Sequence, residues 1–160
     1  MDIRPATPQD VPAVLPMVRK VCAFHEKLDP AKYAFRGDPG EMYDDWLVRR
    51  STDRRSVFLV ADAGRDDATR LVAFLVGSVE REIPIYRLSE FGFVHDLWVE
   101  EKYRNEGVAR QMVTLAVERF RAIGVSQVRL DAAYTNEPAR NLFAACGFRP
   151  SIVEMLIELP

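Results

Sequence analysis

The sequence predicts a mixed α/β fold in which helices pack on a central sheet, forming a single domain over residues 1–160. Three observations predict it. A chain of 160 residues with 48% apolar and 29% charged residues has the composition of one packed core, and a fold of that size buries ~70% of its unfolded surface. Some segments repeat their apolar residues with a helical period, whereas shorter ones alternate or run continuously apolar, as strands do. The two kinds interleave, and their order along the chain reads βααβββαβαβ.

The first element, Ile3 to Ala6, reads as an edge strand because Pro5 has no N–H to give to a ladder. Thr7 and Pro8 suit a helix start, and Val11, Val14, Leu15, Val18, Cys22 and His25 carry a helical period to about Lys27. A turn-rich stretch from Asp29 to Gly40 precedes a second amphipathic segment with Met42, Trp46 and Leu47, ending near Thr52. Val57 to Ala61 and Leu71 to Val79 read as antiparallel strands joined by a polar turn around Gly64 to Thr69. Phe91 to Val99 is a strongly apolar strand interrupted by His95 and Asp96, expected in mid-sheet. Val108, Met112, Leu115, Ala116, Arg119 and Phe120 define a third helix over Gly107 to Ile123, with Gly124 placed to end it. Val128 to Ala133 follows as a fifth strand, Asn136 to Ala145 as a short helix closed by Gly147, and Ile152 to Leu159 as a last strand.

Composition narrows the function classes. A formal charge of −2, from 22 basic and 24 acidic residues, provides no field that would draw the chain to nucleic acid or an anionic membrane, so neither is expected as a partner. Cys22 and Cys146 are too few for a disulfide framework or a cysteine-based zinc site, and no metal is expected. No apolar run approaches the ~20 residues that span a bilayer, and the start, Met1-Asp2-Ile3-Arg4-Pro5, lacks a signal-peptide core. The expected location is cytoplasmic.

The stretch that carries chemistry runs from Asp96 to Arg110: a strand, a short polar loop and a helix start. The first turn of a helix leaves backbone N–H groups without internal partners and carries about half a positive charge, so a diphosphate placed there gains several hydrogen bonds. Gly107 and Ala109 keep side chains from blocking that approach, and Arg104 and Arg110 can add charge. Tight connections produce similar turns, so the spacing must decide. Neither the three-glycine dinucleotide fingerprint nor a phosphate loop ending in Gly-Lys-Ser/Thr is present. Arg104-x-x-Gly107-x-Ala109, preceded by Leu97-x-Val99, resembles instead the coenzyme A signature of the GCN5-related N-acetyltransferases (GNAT). Asn136-x-x-Ala139-x-x-Leu142-Phe143-x-x-x-Gly147-Phe148 is similar to that family's other motif, and the element order matches its fold over nearly the whole chain.

The resemblance implies a mixed central sheet of six or seven strands with about four helices, and acetyl-CoA as cosubstrate. The pantetheine arm would lie where the fourth and fifth strands splay apart, against Leu97, Trp98 and Val99. The diphosphate would meet Arg104, Asn105, Glu106, Gly107, Val108, Ala109 and Arg110. Asn136, Arg140 and Phe143, in the second motif, complete the expected cofactor-binding set; Asn136 also suits a helix cap.

The implied activity is direct transfer of an acetyl group to a primary amine, an acyltransferase reaction. It needs a neutral nitrogen, a thioester carbonyl within attack distance and stabilisation of the oxyanion that develops. A backbone N–H between Leu97 and Val99 is expected to meet the thioester oxygen. His95 is the candidate base: it titrates near neutrality, and strand alternation places it on the face of Leu97 and Val99 with Asp96 opposite. A histidine hydrogen-bonded within the sheet is the other reading. Phe143 stands where many family members carry a tyrosine whose hydroxyl protonates the departing thiolate. A thiol of pKa ~8.5 still leaves, at the cost of the roughly 10²- to 10⁴-fold that general acid help supplies. Water or Tyr134 is then the substitute donor, Tyr134 being otherwise a packed aromatic. Cys146, inside Ala144-Ala145-Cys146-Gly147, reads as packing at a helix end.

The resemblance also implies that Phe24 to Trp46 wall the acceptor site. Within it Glu26, Asp29, Asp38, Glu41, Asp44 and Asp45 face only Lys27, Lys32 and Arg36, a net −3. Such a rim attracts a cationic amine between Tyr33, Phe35, Tyr43 or Trp46, and a solvated loop accounts for the same charges. Two classes of function stay open. One is an N-acetyltransferase acting on a small amine or, as a variant, on a protein N-terminus or lysine. The other is a CoA-binding sensor or interaction module that has lost its chemistry, for which Phe143 is the hint. The resemblance also implies a possible homodimer, through the last strand, for which Ile152 to Leu159 is apolar enough, or through the helices.

Overall fold

The computed structural model describes residues 1–64 and 71–160, so the polar turn expected around Gly64 to Thr69 lies, from residue 65 onward, outside it. Strand β1 (Asp2–Pro5) is at the rim of the sheet, as the missing N–H of Pro5 requires. Thr7 then redirects the chain, its N–H and hydroxyl both donating to Asp10 Oδ2, at 2.7 and 2.8 Å. A 3-10 turn (Pro8–Asp10) leads into α1 (Val11–Leu28), whose buried Val11, Val14, Met17, Val18, Val21 and Cys22 form one stripe against the sheet. The turn-rich stretch contains a one-turn helix, α2 (Pro30–Tyr33), capped by Asp29. The second amphipathic segment is α3 (Pro39–Thr52), capped by Asp38, which accepts from Gly40 N at 3.0 Å. Leu47 is buried while Met42 is exposed, so α3 uses only part of the apolar face its sequence offers.

The sheet runs in the order β1-β2-β3-β4-β5, with β2 (Ser56–Asp62), β3 (Leu71–Arg81), β4 (Glu90–Val99) and β5 (Val128–Leu130). The first four strands pair antiparallel, and β5 lies parallel to β4 because α4 (Val108–Ile123) carries the chain back across one face. Phe58, Val60, Phe74 and Val76 pack against α1 and α3 on one side. Leu59, Leu75 and Val94 pack against Met112, Ala116 and Phe120 of α4 on the other, where α5 (Glu137–Ala145) adds Phe143. Phe120 explains the glycines of the middle strands. A Cβ at Gly92 would sit 2.7 Å from its ring, and one at Gly77 would sit 2.6 Å from the Phe93 carbonyl oxygen and 3.0 Å from Phe120 Cζ.

Two expectations are corrected. The last strand, Ile152 to Leu159, does not form: residues 151–160 have no regular structure and are exposed, so the described sheet has five strands rather than six or seven. The fifth strand, expected to reach Ala133, stops at Leu130. Both have one physical cause. Alternation equips a segment to be a strand, but only a neighbour that takes its backbone hydrogen bonds makes it one, and among the described residues β5 has a partner on one side only.

Two irregularities in β4 shape the cleft beside it. Strands β4 and β5 pair over Gly92–Val94 and Val128–Leu130 and then part, leaving the rest of β4 without a described neighbour on that side. Across β3 the register slips, Val76 facing Asp96 but Gly77 facing Val94, so His95 is the extra residue of a β-bulge.

Candidate active site

The bulge turns His95 and Asp96 to the same side. His95 meets the edge of Trp46 from α3, with ring centroids 5.2 Å apart, and tilts against Phe93 at 5.1 Å. Asp96 accepts a hydrogen bond from Tyr43 Oη, also on α3, at 3.0 Å. Leu97 and Val99, by contrast, pack toward α4. The expectation that His95 shares their face is therefore wrong, because one inserted residue resets the two-residue alternation.

His95 is held by a short hydrogen-bonded chain. Its Nε2 lies 2.7 Å from Ser78 Oγ and 3.4 Å from Glu80 Oε1, and Ser78 Oγ donates to Glu80 Oε1 at 2.7 Å. A serine hydroxyl has one hydrogen and an ionised carboxylate can only accept. With that hydrogen on Glu80, the imidazole must donate from Nε2, which leaves Nδ1 with the lone pair. Burial lowers the His95 pKa below its ordinary value, with Glu80 pulling upward and Arg50 reinforcing the drop, so the ring is neutral near pH 7. Asp96 is the opposite case. Burial pushes its acid up to about 6, against the Tyr43 hydrogen bond. Cys22, near Asp96, is pushed up to about 11, by burial first and then by that carboxylate.

Where β4 leaves β5, strand alternation decides which peptide groups face the opening. Glu100 N donates to Val72 O at 2.8 Å, so the peptide groups of Glu100 and Trp98 face β3, and those of Leu97 and Val99 face the gap. Trp98 lends no backbone to it; its side chain lies toward α1, with Phe24 edge-on at 6.2 Å. Beyond Val99 the chain makes a 3-10 turn (Glu101–Tyr103) and passes two left-handed residues, Asn105 (φ 64°) and Gly107 (φ 81°), before α4 begins. Among the described residues no side chain caps that helix start, which leaves the amides of Val108, Ala109 and Arg110 to meet an anion. Arg104 is tied back, its Nε donating to Val99 O at 2.9 Å and its guanidinium lying 4.6 Å from the Trp98 ring centroid. A cavity of about 510 Å³ beside the loop has Lys20, Lys27, Lys102, Glu100 and Glu101 around Phe24 and Trp98, with Lys20 Nζ donating to Glu100 Oε1 at 2.6 Å.

An opening lined by strand amides and ending at an uncapped helix start fits a linear, amide-bearing arm with a diphosphate at one end. Residues 21–148 match the acetyltransferase (GNAT) family. The chain belongs to the GNAT acetyltransferase family.

Among solved structures, a Bacillus halodurans protein superimposes with a TM-score of 0.86 at 21% identity, each chain covered over 100% of its length. An aminoglycoside 6'-N-acetyltransferase from Acinetobacter haemolyticus does so with a TM-score of 0.70 at 18% identity, also over 100% of both chains. The N-alpha-acetyltransferase MAK3 of Arabidopsis thaliana is 30% identical over 73 residues, 46% of this chain and 38% of that protein. The chain thus spans under half the length of that relative. The GNAT family uses acetyl-CoA as cosubstrate.

The second motif lies on α5 and the turn after it. Asn136 caps α5, its Oδ1 accepting from Ala139 N at 3.3 Å, which leaves its NH₂ group for other use. Phe143 packs against Phe148 at 6.0 Å. Arg140 lies over the ring of Tyr134, 5.2 Å from its centroid, and Tyr134 is 80% exposed rather than packed. Burial raises the Cys146 thiol, with Arg110 opposing, as suits an inert thiol at a helix end. The acidic rim is partly structural: Asp29 caps α2, while Asp38 caps α3 and accepts from Arg19 Nη2 at 2.5 Å.

Ser78 and Glu80 went unrecognised in the sequence. The available signal was the end of β3, where Gly77-Ser78-Val79-Glu80 breaks an apolar run and places two polar residues on one face.

Proposed function

We propose that this acetyltransferase moves the acetyl group of acetyl-CoA directly to the primary amine of a small cationic molecule. The observation that carries the reading is the Glu80–Ser78–His95 chain beside the edge of Trp46, at the point where β4 leaves β5. Alkylamines keep their proton up to pH ~10, so the nitrogen must lose it before it can attack. His95 takes that proton on Nδ1. Ser78 and Glu80 act as positioning residues: they fix the tautomer and set a negative charge beside the ring as it becomes cationic. Trp46, Phe93 and Tyr43 offer aromatic faces to the cation.

Acetyl-CoA supplies the thioester. Val108, Ala109 and Arg110 hold its diphosphate by their amides, with Asn105, Glu106 and Gly107 shaping the approach and Arg110, Lys27 and Lys102 adding positive charge. Leu97 pairs with the arm through its outward peptide group and Val99 through its N–H, the Val99 carbonyl being held by Arg104, and one of the two N–H groups stabilises the oxygen that gains charge under attack. Asn136 NH₂ and Arg140 approach the arm from α5. The new C–N bond forms and the C–S bond breaks; the second proton of the nitrogen passes through water to the departing thiolate, since Phe143 has no hydroxyl to give. Tyr134, exposed beneath Arg140, receives no role.

A peptide acceptor is favoured by one observation, the 73-residue similarity to an N-alpha-acetyltransferase. The two are separated by measuring CoA release against a panel of polyamines, amino sugars and aminoglycosides and a panel of N-terminal peptides. Turnover on the first panel alone is expected. Turnover on peptides alone overturns the small-molecule reading, and acetyl-CoA binding without turnover on either panel points to a sensor.

A further inference from the structure

Among the described residues no cation pairs with Asp96. Other partly buried carboxylates are paired: Asp10 and Asp62 meet Arg4, Glu82 meets Arg129 and Glu100 meets Lys20. Asp96 receives only the Tyr43 hydroxyl, on Oδ2, and its Oδ1 has no donor among the described residues. Burial pushes its acid up to about 6, and the one opposing group is that hydroxyl rather than a cation. The residue nevertheless keeps some accessible surface. Ionising a desolvated carboxylate costs stability unless a cation meets it. In a chain of 22 basic residues this one is left unmatched, which marks a place for a cationic ligand.

Helix α3 orders the surroundings. Tyr43, Trp46 and Arg50 follow one another by a turn each, Tyr43 edge-on to Trp46 with centroids 5.5 Å apart and the Arg50 guanidinium 5.7 Å from the Trp46 ring centroid. On β4, Asp96 lies against Tyr43 and His95 against Trp46. The charges along this wall therefore run from a carboxylate, past the imidazole, to a guanidinium. A cation beside His95 is drawn to one side and repelled from the other. Glu80, the other carboxylate at the imidazole, is engaged by Ser78 Oγ on the Nε2 side of the ring. His95 and Asp96 are consecutive, with Cα atoms about 3.8 Å apart, and the bulge turns both to one side. Two anchors this close suit two amino groups on one short carbon chain lying along Tyr43 and Trp46.

With His95 as the base for the reacting amine, as in the proposed function, we propose that Asp96 Oδ1 binds a second ammonium group of the acceptor, which makes the substrate class a short-chain diamine. One amine gives its first proton to His95 Nδ1 and attacks the thioester. The other stays charged against Asp96 and holds the chain in line. The transfer is unchanged: the C–N bond forms, the C–S bond breaks, the second proton of the nitrogen goes to the thiolate, and a monoacetylated diamine leaves with one positive charge. Asp96 takes no proton from the reacting nitrogen, so its contribution falls on affinity. The charge that lowers the stability of the free protein is matched once the diamine is bound. A monoamine of the same length leaves Asp96 unpaired.

The test is isothermal titration of the full chain with CoA present, at about pH 7.5, where Asp96 is ionised. The ligands are diamines from ethylenediamine to cadaverine and the monoamines of matching length. The diamine of best-fitting length is expected to bind about 10- to 100-fold more tightly than its monoamine. Asp96→Asn, which keeps an acceptor for Tyr43, is expected to abolish that preference, and Tyr43→Phe, which leaves the carboxylate in place, to retain it. CoA release from acetyl-CoA is followed in parallel with the same amines. Equal binding of diamines and monoamines by the wild type, a preference that survives Asp96→Asn, or one that Tyr43→Phe also abolishes would overturn the proposal. A preference that only Asp96→Asn abolishes, with no CoA released from any amine, upholds the diamine site and overturns acetyl transfer to a small amine instead.

Discussion

Ser78 Oγ lies 2.7 Å from His95 Nε2 and the same distance from Glu80 Oε1, so one buried hydroxyl links a carboxylate to an imidazole across two antiparallel strands. The link exists because of a bulge. Without the residue inserted at position 95, regular alternation would turn the imidazole toward α4 and leave Ser78, 2% exposed, without that partner.

Burial lowers the His95 pKa and Glu80 raises it. The pH profile of kcat/KM is therefore expected to rise to a plateau with its acid limb below the ordinary histidine value of 6.5. Glu80→Gln removes the upward pull and is expected to move that limb to lower pH, with a reduced plateau. His95→Gln is expected to lower kcat by about 10²- to 10⁴-fold. A Glu80→Gln limb that moves to higher pH would contradict the assignment.

Asp96 bears on stability rather than on rate. Its acid sits at about 6 in the fold against an ordinary 3.8, so burial favours the protonated form. The contribution is fully present below about pH 4 and is lost as pH rises through about 6. Asp96→Asn leaves an acceptor for Tyr43 and cannot ionise. It is expected to be more stable than wild type by on the order of 2–3 kcal/mol at about pH 7.5, the difference vanishing below about pH 4. Urea titrations at the two pH values check this.

Gly92 tests the packing beneath the site. A methyl group at Gly92 would stand 2.7 Å from the Phe120 ring, so Gly92→Ala is expected to cost about 1–3 kcal/mol and to lower Tm by roughly 2–4 °C per kcal/mol. Adding Phe120→Leu should recover part of the loss. Full additivity of the two substitutions would show that the methyl and the ring do not meet.

Gly107 tests the loop. Its φ of +81° strains any L residue, while its Cβ position is otherwise open, the nearest atom being Gln111 Nε2 at 3.7 Å. Gly107→Ala is therefore expected to cost about 1–2 kcal/mol of stability through the backbone. It is also expected to raise KM for acetyl-CoA more than it changes kcat, as steady-state kinetics would show.

Sequence alone was informative where the signal is local. Gly107, Ala109 and the period of Met112, Ala116 and Phe120 place a loop and a helix start without reference to any distant residue, and Gly124 ends that helix in the left-handed conformation expected of it. The side His95 faces depends on a register slip between β3 and β4, which no pattern within β4 encodes. Glu80 joins the site from 15 positions away only once two strands pair. Residues 151–159 failed as a strand for a related reason: their alternation is intact, but a strand also needs an edge, and their own chain leaves them beside α2 instead.

Catalysis by this route requires acetyl-CoA to lie along the gap beside β4 and to reach the start of α4, within reach of His95. Amide hydrogen exchange of the wild-type protein with and without acetyl-CoA measures this directly. Protection is predicted at Leu97 and Val99 and at Val108, Ala109 and Arg110, with Trp98 unchanged because it already faces β3. Exchange at those five amides that is the same with and without saturating acetyl-CoA would contradict it.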